Sequence, residues 1–366
     1  MPIFNCMGFE NKPRKRVLCI SPAHPPNDPR VLKTINTLAN HYEVQSLLPW
    51  RVGSSVGVLW MYQQLAMRLV LVHPLIGWHM IRRRPHILHL FMPELLPIAL
   101  LFRLFGGQVV YEVQENHRLK FDRKPRNKHP IFTKTFDCLD RLARRYCYCV
   151  FTEVSYLAEY RRLALPFAVV HNFPEMSSPK RDDISDRPLF DLCYIGLVSL
   201  DRGFDTMLAI LDGLPTCRLH LFGRIADDCL DLLTAQRDRV IVHGHVEQAD
   251  AFPIMAQCVA GLALLKPVGD YPDSYPTKLF EYMALGLPVI TSDFPLYRSV
   301  VETHQCGFCV EPTNLVTIVE RIKWLIKHPS EAQRMGEKGK SGVYNLYSWR
   351  TEAKKLLELY QNIDFK

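Results

Sequence analysis

The chain has 366 residues, 48% hydrophobic and 22% charged, a composition that excludes a disordered or fibrous protein and leaves room for two domains. Net charge is +8, but residues 1–175 carry +12 (24 Lys/Arg against 12 Asp/Glu) and residues 176–366 carry −4 (21 against 25), so only the first half needs an anionic partner to explain it. Eleven cysteines without regular spacing argue against a secreted disulfide framework and for a reducing cytosol.

Met1–Lys12 has no long apolar core, and the basic run Pro13-Arg14-Lys15-Arg16 comes after it, so no signal peptide is expected. Arg16–Ser21 reads as a buried strand. Asp28 followed by Pro29 is a helix start, with Asp as N-cap and Pro in the first turn; Val31, Ile35 and Leu38 repeat at helical spacing. Tyr42–Leu48 returns as a strand, and strand–helix–strand units of this length imply a parallel sheet with helices on its faces. Val56–Arg84 is a long apolar stretch broken by polar residues and ended by Arg82-Arg83-Arg84. Arg68 stops Val52–Met67, and no run reaches the roughly 18 uncharged apolar residues of a membrane span. One or two core helices fit this stretch, and so does a surface dipping into a membrane interface.

His86–Phe91 is expected as a third strand, Pro97–Phe105 as a helix and Gln108–Val113 as a fourth strand. That strand ends at Gln114, Glu115, Asn116 and His117, where parallel-sheet enzymes place their sites. The loop Arg118–Lys128 is strongly basic. Phe132–Arg145 is helical; Cys147–Glu153 and Ala168–His171 are further strands. Glu175–Pro188 is polar, holds prolines and serines, and reads as a linker.

The pattern then restarts. Phe190–Ile195, Cys217–Phe222, Val240–Val242 and Val259–Leu265 are strands, with a helix at Phe204–Leu211. Cys306-Gly307-Phe308-Cys309 is a lone C-x-x-C; a buried or strand-edge thiol pair fits it better than zinc or redox chemistry. Gly307–Val310 is extended, Asn314–Ile326 helical, and Tyr347–Tyr360 a last helix with one apolar face. Residues 1–174 and 189–346 are thus expected as two Rossmann-like α/β domains facing a cleft, joined by linker 175–188, with 347–366 a terminal helix. No G-x-G-x-x-G follows either opening strand, which disfavours a dehydrogenase.

The most informative stretch is Asp273–Phe294, a loop, short helix, tight turn and buried strand. Ser274 and Thr277 are capping candidates and Pro276 suits a first helical turn. Lys278 and Glu281 fall three apart on one helix face. A cation and an acid near a helix N-terminus suit a ligand with a phosphate end and a hydroxyl-rich end. An ordinary surface ion pair fits the same spacing.

With these residues in order, the chain resembles the retaining GT-B glycosyltransferases of the family 4 type, the glycosyl transferases group 1. The resemblance rests on Pro276–Asp293, the loop and helix Pro25–Lys33, His171-Asn172-Phe173-Pro174, Tyr194-Ile195-Gly196 with Arg202-Gly203, and the final helix. It implies a nucleotide-sugar held by the second domain and an acceptor held by the first, with that helix crossing back to the first domain. Glu281 matches the second glutamate of the family's E-x7-E motif, which takes the ribose hydroxyls; Asp273 stands at the first. Lys278 and Arg202 are implied at the diphosphate, Leu197 standing where the family often has an arginine. Gly196, Gly223, Arg224, Gly244, Ser274 and Thr277 are implied in the donor loops. Asp28, Gln114, Glu115 and His117 are implied on the acceptor side.

Neither a metal nor a separate cofactor is expected. The implied reaction is metal-independent glycosyl transfer to a glycan or lipid-linked acceptor in surface polysaccharide biosynthesis. The basic first half fits a peripheral, anionic membrane surface on the cytoplasmic side. Nucleic acid is not expected, since no recognition helix, zinc pattern or aromatic RNA-binding strand is present. A GT-B-shaped epimerase of the sugar nucleotide, or a non-catalytic nucleotide- or glycan-binding partner of another transferase, fits the same architecture.

Overall fold

The structure, a computed structural model, describes residues 14–22, 24, 28–48, 72–116, 130–175, 190–235 and 237–364. His117, the basic loop Arg118–Lys128, almost all of the expected linker and the apolar stretch before Val72 lie outside the described residues.

The first sheet holds β1 (Arg16–Ile20), β2 (Glu43–Leu47), β3 (Ile87–Leu90), β4 (Gln108–Val113), β5 (Tyr148–Phe151) and β6 (Phe167–Val169), in the order β2-β1-β3-β4-β5-β6. All its pairings are parallel. Its helices are α1 (Pro29–Ala39), α2 (His73–Arg83), α3 (Leu96–Leu104) and α4 (Pro130–Tyr146). The second sheet holds β7 (Leu192–Ile195), β8 (Leu219–Phe222), β9 (Val240–Gly244), β10 (Ala260–Ala263), β11 (Val289–Ser292) and β12 (Gly307–Val310), in the order β12-β11-β10-β7-β8-β9. Its helices are α5 (Phe204–Asp212), α6 (Leu230–Ala235), α7 (Gln248–Met255), α8 (Thr277–Leu285), α9 (Pro295–His304), α10 (Leu315–Lys327) and α11 (Pro329–Asn345); α12 (Trp349–Gln361) follows. The two sheets are thus two GT-B-type α/β halves. Their central strands are nearly continuous apolar runs because helices cover both faces. Strand order reverses beside β1 in one sheet and beside β7 in the other, so crevices open beyond the C-terminal ends of both.

Capping at α1 follows the sequence: Asp28 Oδ1 accepts from the Val31 N–H at 3.0 Å, with Pro29 in the first turn. The terminal helix α12 crosses back to the first half. Trp349 Nε1 donates to Thr37 Oγ1 at 2.9 Å, and the buried Glu352 carboxylate accepts from the His171 N–H at 2.7 Å. Trp349, Leu356, Leu359 and Tyr360 join β1, β3 and β5 residues in one core.

Helix α11 was not legible in the sequence, because Gly336, Gly339 and Gly342 weaken it by propensity. They form one stripe at a spacing of three. The backbone of α8 passes so close that a Cβ on Gly336 would lie 1.8 Å from the Gly286 carbonyl oxygen. Helix contact decides this element, and glycine is what permits the contact. Cys306 and Cys309 are free thiols, and no group of three or more metal-binding side chains occurs among the described residues. No helix among them is long and apolar enough to cross a membrane.

Candidate functional site

Two adjoining cavities occupy the cleft. One of about 760 Å³ lies mainly against the second half and is lined by Gly196, Arg202, Gly223, Gln248, Lys278 and Glu281, with Asp28 and Lys33 from across the cleft. The other, of about 700 Å³, lies mainly against the first half and is lined by Gln114, Glu115, Asn116, Glu153, Tyr156 and Asp270. Asp28, Asn172, Arg202, Ser274, Tyr275 and Thr277 line both.

Helix α8 starts at Thr277 with Pro276 as its N-cap, and no side chain caps it. The expected caps do not form: Ser274 Oγ donates to the Asp270 carbonyl at 2.8 Å instead. The first turn therefore presents its backbone N–H groups at the wall of the first cavity, where a helix favours an anion.

Lys278 projects from that turn and Glu281 from the next, and both are buried, at 6% and 7% exposure. This excludes the surface ion pair. Each has its own partner: Lys278 Nζ donates to Tyr194 OH at 2.9 Å and lies 4.1 Å from that ring's centre. Gln248 Nε2 donates to Glu281 Oε1 at 2.7 Å. Burial, followed by the neighbouring Arg202 charge, holds the Lys278 ammonium well below the usual lysine range. Burial raises the Glu281 carboxyl, opposed by Lys278 and then Lys33.

Arg202 comes from the turn after β7, and its Nε donates to Tyr271 OH at 3.4 Å. A Cβ built on Gly196 would sit 3.5 Å from Lys278 Nζ and 3.6 Å from the Arg202 guanidinium. The space over Gly196 is therefore flanked by two cations. Gly223 lies against the Gly196 backbone, and a Cβ there would come within 2.1 Å of the Gly196 carbonyl oxygen. Glycine at this strand end keeps the floor of the cavity thin.

Three implied donor residues stand apart. Arg224 is exposed, and neither it nor Gly244 lines a cavity; the Gly244 carbonyl supports the floor by accepting from the Gly223 N–H at 2.7 Å. Asp273 is exposed in a 3-10 turn and lines neither cavity. The turn directs Asp270 inward instead, where it accepts from Tyr156 OH at 3.1 Å across the cleft. On the acceptor side, Asp28, Gln114 and Glu115 line the second cavity, and Gln114 Nε2 donates to the buried Glu112 carboxylate at 2.8 Å.

Sequence reasoning missed Lys33, Gln248, Glu153 and Asp270. Lys33 Nζ donates to Asn172 Oδ1 at 2.9 Å and the Phe173 carbonyl at 2.6 Å. Burial and then Arg30 lower it to about 8, opposed by Glu281 across the cleft. Arg30 and Lys33 fall beside Val31 and Thr34 on the buried face of α1, and cations on a core face are the signal that could have marked them. Glu153 is raised by burial, opposed by its hydrogen bond to His171.

Residues 186–342 match the family model of the glycosyl transferases group 1. A sucrose synthase of Thermosynechococcus vestitus is 29% identical over 91 residues, 24% of this chain and 11% of that protein, so the match spans about a tenth of the relative. Among solved structures, sucrose-phosphate synthase from Thermosynechococcus elongatus superposes with a TM-score of 0.73 at 15% identity, covering 95% of this chain and 98% of that one. Anabaena HepE in complex with UDP-glucose gives 0.70 at 14%, covering 95% and 100%. A glycosyltransferase from Rickettsia africae gives 0.66 at 14%, covering 96% and 98%. Residues 186–342 are thus a glycosyl transferases group 1 domain, carried in a chain with the GT-B fold.

Proposed function

We propose that the chain transfers a sugar, with retention and as in family 4, from a nucleotide-sugar to a hydroxyl of a glycan or lipid-linked acceptor. The process would be cell-surface polysaccharide assembly, on the cytoplasmic face of a membrane. One observation carries the reading: Lys278 and Arg202 flank the space over Gly196, one helical turn from the buried Glu281. Two cations held together at a cavity wall repel each other until an anion arrives.

A diphosphate over Gly196 would meet both cations and the first turn of α8. As the sugar–phosphate bond breaks, negative charge grows on the leaving oxygens, and charges fixed there beforehand lower the barrier. Protein cations then fill the place that a metal takes in other transferases. The Glu281 carboxylate, held by Gln248, has acceptor capacity left for the two ribose hydroxyls. The acceptor would enter through the second cavity, past Asp28, Gln114 and Glu115. HepE has been solved with UDP and with UDP-glucose, which makes a uridine donor the first to test.

The test is a thermal-shift screen of UDP, GDP, ADP and dTDP sugars, followed by transfer assays. A true donor at 100 times its Kd adds about 2.7 kcal/mol of stability. Absence of any stabilising nucleotide, or full transfer by both Lys278→Ala and Glu281→Ala, would sink the proposal. Turnover of the donor without an acceptor would point to an epimerase instead.

A further inference from the structure

The first half carries a surface that sugar transfer does not use. Helices α2, α3 and α4 pack over a single core. As crossover helices they run against the strands, so their C-termini emerge at the sheet edge opposite the cleft. Arg103 Nε of α3 donates to the carbonyl of Tyr146, the last residue of α4, at 3.1 Å, which puts those two ends side by side.

Large apolar side chains stand out from this edge. Trp78 and Ile81 of α2 share a face with Arg82, three and four residues on from the tryptophan. Leu101, Leu104 and Phe105 repeat that spacing at the end of α3. Ile81, Leu104 and Phe105 are 79%, 83% and 82% exposed, and Trp78 51%. Arg82 lies over the Trp78 ring at 5.2 Å, and Arg145 over Tyr146 at 5.4 Å.

A basic last turn by itself only complements a helix dipole. Here α2, α3 and α4 all have one, while α1 has none; in the second half α9 and α10 have one and α5, α6, α7, α8 and α11 have none. Dipole complementation does not account for isoleucine, leucine and phenylalanine standing in water beside the arginines. Contiguous exposed apolar surface rimmed by charge marks a docking site.

We propose that this edge docks on an anionic lipid bilayer. Trp78, Ile81, Leu104 and Phe105 enter the boundary between headgroups and acyl chains, and Arg82 and Arg145 meet lipid phosphates. The net +12 of residues 1–175 extends the attraction. A second copy of the chain fits less well, since it would press the same arginines together. The docking stands apart from the proposed reaction. Taken with it, the cleft sits about 20 Å from the bilayer, the length of a six-residue strand such as β4. That reach favours a glycan extending from its lipid over the lipid phosphate itself.

The experiment is co-sedimentation of the full chain with vesicles of phosphatidylcholine and phosphatidylglycerol in equal parts, and with phosphatidylcholine alone. The parent is expected to sediment with the anionic vesicles and to release as salt rises. Trp78→Ser/Ile81→Ser/Leu104→Ser/Phe105→Ser and Arg82→Glu/Arg145→Glu should each partition at least about tenfold more weakly, with thermal denaturation and nucleotide-induced stabilisation unchanged. The charge variant decides alone if the apolar one misfolds. A parent that stays in the supernatant at low salt overturns the proposal, as does equal sedimentation of parent and variants. A dimer lost only in the variants, without vesicle binding, overturns it in favour of self-association.

Discussion

Lys278 is the residue at which the proposed chemistry and stability pull apart, and Lys278→Met separates them. In the unliganded protein the ammonium has one hydrogen bond, to Tyr194, and lies among buried groups beside Arg202. Losing that bond costs about 1 kcal/mol. Removing a desolvated charge that faces another cation recovers several kcal/mol, part of which is lost again because the buried Glu281 loses its main counter-charge. The unliganded variant should therefore melt at the parent temperature or above it, by about 2–4 °C per kcal/mol gained in a domain of this size.

The sign with pH follows from the same shift. A lysine depressed in the folded state binds fewer protons there than in the unfolded chain. Parent stability then rises with pH between the depressed value and the ordinary 10.5. That rise should be missing in Lys278→Met. Nucleotide behaves the opposite way: a diphosphate over Gly196 favours the ammonium, so binding takes up protons when the pH lies in that window. Without the ammonium, the nucleotide-induced melting shift should collapse and transfer should fall about 100- to 1000-fold, the loss expected for one fixed electrostatic donor. Differential scanning calorimetry with and without nucleotide across pH, together with single-turnover transfer, reads all of these. A variant that melts well below the parent and still binds and turns over donor normally would refute the reasoning.

Glu281→Gln keeps a side chain that can accept from Gln248 but loses the charge offered to ribose; donor affinity is expected to fall about 10- to 100-fold with little change in melting, measured by calorimetric titration. Asp273→Ala, at an exposed position, should leave donor KM within about twofold. Asp270→Ala breaks the bond to Tyr156 across the cleft and should change acceptor KM by more; steady-state kinetics on the pair tests the placement, and the reverse ranking would restore Asp273 to the site. Gly336→Ala sets a methyl against the Gly286 carbonyl and should destabilise by about 1–3 kcal/mol in urea unfolding.

The sequence by itself determined the local elements and their alternation. Apolar runs such as Gln108–Val113 mark strands buried on both faces, Asp28-Pro29 marks a capped helix start, and the restart at Phe190 marks a second sheet. These signals survive because period, capping and turn chemistry act over a few residues. The pairing of Lys278 with Glu281 on one helix face was also visible, since helical spacing fixes it.

Only the tertiary structure decided what surrounds them. Burial of that pair depends on β7, α7 and the first half closing round α8, and none of these is near it in sequence. Lys33 reaches the cavity from 245 residues before Lys278, so no local pattern connects the two. The inward carboxylate of the loop is Asp270, bonded to Tyr156 across the cleft, and the exposed one is Asp273, a difference that only the long-range contact reveals. Helix α11 forms against propensity because α8 passes close enough to need its glycines. The stretch Asp273–Phe294 thus supplied the chemistry, and long-range packing chose which of its groups face the cleft.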